Sequence, residues 1–192
     1  MRCLNEGVAI QANKEDNCKG CFWEGRFKSQ ALLDETALLA CMVYVDLNPI
    51  RAAINKTPED SNFTSIQHRL MTIAKANLNE EVQPSNLLPL IGYQPHSYIP
   101  KGLPFKLIDY FVLVEWSGRC IRDNKRGAIP DDILPLFERF NVNQDDWLTV
   151  ITEFNRHYIS AAGRVDKMNR WASATNKKWC ATHQALNLYA CN

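Results

Sequence analysis

The sequence contains no run approaching the ~18 consecutive apolar residues of a membrane-spanning helix. Its first residues (Met1, Arg2, Cys3, Leu4, Asn5, Glu6) lack the apolar core of a signal peptide, so no membrane partner and a cytoplasmic location are expected. Internal repeats and low-complexity tracts are also missing, which excludes solenoids and fibres. Charge of one sign is missing too: 22 Lys+Arg stand against 21 Asp+Glu, a net +1. Histidine is scarce, with His68, His96, His157 and His183 scattered and no two separated by a single residue. The seven cysteines are odd in number and dispersed, which argues against a complete disulfide framework. Cys18-Lys19-Gly20-Cys21 is a CxxC, but a tetrahedral zinc site needs two further ligands, and no second CxxC, HxxxH or CxxH exists. A glycine-containing turn is the plain reading.

What is present is the composition of a globular chain: 192 residues, 46% hydrophobic, with five Trp. At this length roughly two-thirds of the unfolded surface is buried on folding, so a core forms without a metal or disulfide staple. Met1, Leu4, Val8 and Ala12 recur near helical spacing, predicting a helix over 1–13 that runs from the first residue without a cap. A chain that starts inside an element reads as truncated. Residues 13–21 read as a polar loop. Trp23, Gly25 and Phe27 then alternate with Glu24, Arg26 and Lys28, the period-two pattern of a half-buried strand, for which the sequence offers no sheet partner.

The clearest helix opens at Asp34, whose carboxylate can cap free N–H groups; Leu38, Cys41, Met42 and Val45 make a stripe at i, i+3, i+4, i+7, and Pro49 ends the helix near Asn48. A helix is predicted over 64–76, a proline-rich connector over 77–104, and helices over 105–123, 131–140 and 145–162. The last has Trp147, Ile151, Phe154 and Tyr158 on one side and Gly163 as its stop. The fold class expected is mainly α with one orphan strand.

Tyr44 and Asn48 are four residues apart, so on a continuous helix they lie about 40° apart on one flank of the stripe. A phenol ionises near pH ~10 and is a poor nucleophile at neutral pH unless a cation or base stabilises the phenolate. The plain alternative is a partly buried tyrosine followed by a helix-ending Asn-Pro.

The segment Phe22-Trp23-Glu24-Gly25-Arg26-Phe27-Lys28-Ser29, the acidic helix start Asp34-Glu35, and Tyr44-Val45-Asp46-Leu47-Asn48-Pro49-Ile50-Arg51-Ala52 together resemble the C-terminal half of the catalytic domain of REP-associated tyrosine transposases, single-tyrosine relatives of the HUH endonucleases. The similarity covers about residues 1–56. Residues 105–130, with Trp116-Ser117-Gly118-Arg119 and Lys125-Arg126-Gly127-Ala128-Ile129-Pro130, resemble the C-terminal extension of long family members.

The resemblance implies a helix-strand-helix remnant of an α+β ferredoxin-like domain over 1–56, a helix and connector over 57–104, and a helical extension over 105–192. It implies transposition chemistry: Tyr44 attacks a single-stranded DNA phosphodiester and forms a 5′-phosphotyrosine link, Asn48 is a helix-borne ligand of Mg²⁺ or Mn²⁺, and Arg51 is a phosphate or structural partner. The family's other two metal ligands lie on a His-hydrophobic-His strand N-terminal to this region, and this chain has no such motif. Asn48 alone is a weak neutral ligand. Asp34 and Glu35 lie more than two turns from Tyr44, and Asp46 faces about 160° away from Asn48, so neither replaces the histidines. The expectation is a catalytically incomplete transposase fragment whose partner is the N-terminal half.

The balanced charge hides two basic segments. Arg119, Arg122, Lys125 and Arg126 against Asp123 give +3 over 119–126; Arg164, Lys167, Arg170, Lys177 and Lys178 against Asp166 give +4 over 164–178, with Trp171 inside and Trp179 adjacent. The remaining residues therefore sum to −6. Cations neutralise phosphates and exposed indoles stack on unpaired bases for about 1–3 kcal/mol each, a mixture suited to single-stranded or hairpin DNA. A helical nucleic-acid-binding module without chemistry is the alternative, and a helical interaction protein with solvated cations a third.

Overall fold

The computed structural model describes residues 2–25, 28–77, 82–93, 102–123, 134–140 and 142–176. It is mainly α. Eight helices among these residues are α1 (Arg2–Glu15), α2 (Glu35–Asp46), α3 (Asn48–Arg51), α4 (Ser65–Lys75), α5 (Leu107–Asp123), α6 (Leu134–Phe140), α7 (Gln144–His157) and α8 (Val165–Ala174). Two short strands, β1 (Ala31–Leu32) and β2 (Ala161–Ala162), pair with each other. Among the described residues no helix is long and apolar enough to cross a membrane.

The chain divides into two compact units, residues 1–31 and 32–192. In the first, α1 runs two residues further than the pattern predicts, and its apolar positions Leu4 and Val8 are exposed. The Trp23 indole donates to the Asn5 carbonyl at 2.9 Å, and Asn13 Nδ2 donates to Gly20 O at 3.1 Å. The strand predicted over 22–28 is not formed in its described residues: 22–25 are a bend with Phe22 and Trp23 exposed, and 26–27 lie outside the described residues. Alternation alone does not make a strand, because the backbone groups need a ladder partner.

The second unit is organised around α2, α5 and α7. Asp34 caps α2 by accepting from Ala37 N–H at 2.8 Å, and Thr64 caps α4 by accepting from Gln67 N–H at 3.4 Å. α2 packs on α7, α3 on α5, and α5 on α7. The centre is filled by Leu39, Tyr110, Leu113, Trp147, Ile151 and Phe154, all fully buried. The Trp147 indole donates to the buried Ser117 hydroxyl at 3.1 Å. Gly118 lets α5 approach closely: a Cβ there would stand 3.1 Å from Leu47 Cδ2.

The face of α2 turned to the core differs from the one predicted. Thr36, Ala37, Leu39, Ala40 and Val43 are buried, whereas Leu38, Cys41 and Met42 are half-buried and Val45 is 56% exposed. Small side chains on the inner face bring α2 close to α7, and the larger apolar stripe is left outside. That stripe borders a surface hollow of about 480 Å³ together with Leu32, Pro49 and the fully exposed Phe63. Burial pushes the Cys41 thiol pKa up, keeping it in the neutral form. The helix predicted over 145–162 ends at His157 instead. Tyr158 is extended, and the chain passes into β2 before Gly163. In the connector, Leu90 and Leu103 form an isolated bridge; residues 78–81 and 94–101 lie outside the described residues, as do 131–133 of the helix predicted over 131–140.

Candidate functional site

Tyr44 and Asn48 do not share one continuous helix. Pro49 has no N–H to offer the Val45 carbonyl, and α2 stops at Leu47 (φ −89°, ψ 1°) before α3 restarts with the proline in its first turn. This break lets Arg51 fold back over both residues. Its Nη2 donates to Asn48 Oδ1 at 2.7 Å, its Cζ lies 3.9 Å from the Tyr44 ring centroid, and its Nη1 donates to Thr152 O at 3.1 Å. The three residues predicted from the motif therefore come together, joined by the arginine.

α7 completes the cluster. Asn155 Nδ2 donates to the Tyr44 hydroxyl at 2.9 Å, and the Phe154 ring packs against Tyr44 at 5.5 Å between centroids. α7 is kinked at Glu153 (φ −118°, ψ 27°), next to the carbonyl that Arg51 engages. Carbonyls beside a kink lose regular helical geometry, and the guanidinium supplies a donor there. His157 Nε2 lies 3.3 Å from Glu153 Oε2, and Arg156 Nη1 lies 3.2 Å from the same oxygen. Tyr44 is half-buried, while Asn48 and Asn155 are exposed; the phenolic oxygen accepts from the Asn155 amide and the guanidinium lies over the ring. Sequence reasoning missed Asn155, Thr152 and Phe154 because they follow Tyr44 by more than 100 residues with no spacing to link them.

The implied divalent metal does not fit this set. Asn48 Oδ1 is taken by a guanidinium, whose positive charge opposes a second cation, and among the described residues no three His, Cys, Asp or Glu side chains converge. Asp46 is not a spare ligand either. It is 1% exposed and accepts from Ser65 N–H at 3.0 Å, Ser65 Oγ at 2.8 Å, Ile66 N–H at 3.2 Å and Tyr110 Oη at 2.5 Å.

The described basic residues are carried by α5 and by α8 with its N-cap. Arg119 and Arg122 are exposed on α5; Arg119 pairs with Glu115 at 2.5 Å, and Arg122 donates to Lys56 O at 3.2 Å, tying the end of α5 to the loop after α3. On α8, Lys167 and Arg170 are exposed. Arg164 Nε meets Asp166 at 3.2 Å, and the Arg164 backbone N–H donates to Asp34 Oδ2 at 2.7 Å. Exposed pairs of this kind hold weakly, about 0–1 kcal/mol, and release their cations readily to phosphate. Trp171 is half-buried. Lys125, Arg126, Lys177, Lys178 and Trp179 lie outside the described residues.

No protein-family model, no curated protein and no solved structure matches the chain. The fold and site define a mainly α protein in which Tyr44, Arg51, Asn48 and Asn155 form one cluster.

Proposed function

We propose that this chain is a DNA-binding protein of the tyrosine-transposase type, with Tyr44 as its nucleophile, that it does not nick DNA alone, and that it acts together with an N-terminal half bearing the His-hydrophobic-His strand. The observation that carries the reading is the setting of Tyr44: a half-buried tyrosine whose hydroxyl accepts from the exposed Asn155, with the Arg51 guanidinium against its ring. A phenol so placed is stabilised as it gains negative charge, which attack on a phosphodiester requires. In that attack the Tyr44 oxygen bonds to phosphorus, the P–O3′ bond breaks, the 3′ oxygen leaves and takes up a proton, and the phenolic proton passes to solvent. Mg²⁺ or Mn²⁺ would be held by the histidines of the N-terminal half and would polarise the phosphate there.

One feature supports a missing partner: α2 is apolar on both faces, and a helix of that kind is ordinarily covered on both. The test is a single-stranded oligonucleotide incubated in Mn²⁺ with the chain alone and with a transposase N-terminal half in trans or fused: an adduct stable to denaturation is expected only in the second case. An adduct from the chain alone overturns the incompleteness, and absence of any adduct overturns the nucleophile assignment.

A second reading, a helical nucleic-acid-binding module without chemistry, is favoured by the exposed cations on α5 and α8. It predicts binding that is indifferent to Tyr44→Phe and that falls with salt.

A further inference from the structure

Tyr44 lies in the segment that resembles the catalytic domain, whereas the group on its hydroxyl comes from α7, in the region that the sequence sets apart as an extension. We propose that Asn155 is a positioning residue that, with Arg51, turns the Tyr44 hydroxyl into a reactive nucleophile toward tetrahedral phosphorus or sulfur centres bearing a leaving group. This rests on the reading of Tyr44 as a nucleophile and adds the device that activates it. Donation from Asn155 Nδ2 to Oη at 2.9 Å strengthens as the oxygen becomes negative, because a hydrogen bond to a charged acceptor is the stronger kind. The Arg51 guanidinium lies over the ring, its Cζ 3.9 Å from the centroid, where a fixed cation favours the charge that develops during attack, and Asn48 and Thr152 already hold it in place. Phe154 fixes the ring.

The molecule contains its own comparison. Tyr93 is exposed and has Arg139 4.1 Å from its ring centroid, a matching cation, and among the described residues no side-chain amide donates to its hydroxyl. The test treats the whole chain with an aryl sulfonyl fluoride and follows each tyrosine peptide by mass spectrometry. In that reaction the Tyr44 oxygen bonds to sulfur, the S–F bond breaks, fluoride leaves and the phenolic proton passes to the buffer. Tyr44 is expected to react about tenfold faster than Tyr93, and Asn155→Asp, which keeps the size and removes the donor, to bring it down to the Tyr93 rate. Asn155→Ala gives the same answer should the aspartate unsettle α7, with melting temperature as the control. Equal rates at Tyr44 and Tyr93, or an Asn155→Asp rate within about twofold of the parent at unchanged melting temperature, overturn the proposal. Slow labelling with a DNA adduct still formed removes Asn155 and leaves the nucleophile; fast labelling without any DNA adduct removes the DNA reading and leaves the activated phenol.

Discussion

The Tyr110 hydroxyl donates to Asp46 Oδ2 at 2.5 Å across 64 residues, in a site where both side chains are buried. Asp46 lies between Tyr44 and Asn48 in sequence, yet it faces inward. There it receives the free N–H groups at the start of α4 and the hydroxyl of α5, so it ties three helices together. The buried Arg69, which bonds Gln83 Oε1 at 3.1 Å and Leu88 O at 2.7 Å, adds positive charge nearby and is itself pushed down in pKa by burial.

Asp46→Ala would leave these buried donors without an acceptor and should cost about 3 kcal/mol or more, since each unsatisfied buried group costs roughly 1–3 kcal/mol. Tyr110→Phe should cost less, about 1.5–3 kcal/mol, because the other donors to Asp46 remain. Urea midpoints measure both. Equal stability of Asp46→Ala and the parent would contradict the assignment.

Alkaline pH should destabilise the fold. Burial, then the charge of Asp46 and the hydrogen bond to it, raise the Tyr110 pKa well above its ordinary value; burial, then Asp34 and Asp146, raise that of Tyr158. An unfolded phenol ionises near ~10, so above that pH the folded state holds protons that the unfolded state has released. The stabilisation is therefore fully present below about pH 9 and is lost as pH climbs through 10 toward the folded values. Tyr158→Phe should flatten that decline in a series of denaturation curves between about pH 8 and 11, and an unchanged slope would refute the attribution.

Gly163 has φ +149°, and a Cβ there would stand 2.8 Å from Asp34 Oδ2 and 2.9 Å from Leu33 Cβ. Asp34 uses that oxygen to accept the Arg164 N–H and the other to cap α2. Gly163→Ala should therefore cost about 1–3 kcal/mol through strain and a displaced cap, and Asp34→Ala about 1–2 kcal/mol. Thermal denaturation of the two variants separates strain from capping: a stable Gly163→Ala contradicts the first, a stable Asp34→Ala the second.

The Asp34 cap, the α4 limits and the buried side of α7 are legible in the sequence because each depends on residues close in the chain. The core-facing side of α2 is not. A stripe of Leu38, Cys41, Met42 and Val45 outweighs Ala37, Ala40 and Val43 in any count of apolar volume, yet close approach to α7 selects the small residues. In the site, Tyr44 and Asn48 are visible as a motif, and their link through Arg51 follows from the helix break at Leu47, which Pro49 signals. Asn155 leaves no mark, since nothing local relates α7 to α2.

Binding to single-stranded DNA should weaken steeply with salt if the exposed cations of α5 and α8 contact phosphate. Arg119→Ala with Arg122→Ala, and Lys167→Ala with Arg170→Ala, should each lower affinity and shallow the salt slope by about one to two units, read by fluorescence anisotropy. Unchanged slopes would assign these cations to the solvent.

The nucleophile itself can be located directly. The covalent complex formed with single-stranded DNA in the presence of the N-terminal half is digested and sequenced by mass spectrometry. A nucleotide 5′-phosphate on the peptide containing Tyr44, with no adduct from Tyr44→Phe, is the predicted result. An adduct on any other tyrosine, or one that survives Tyr44→Phe, would contradict the account.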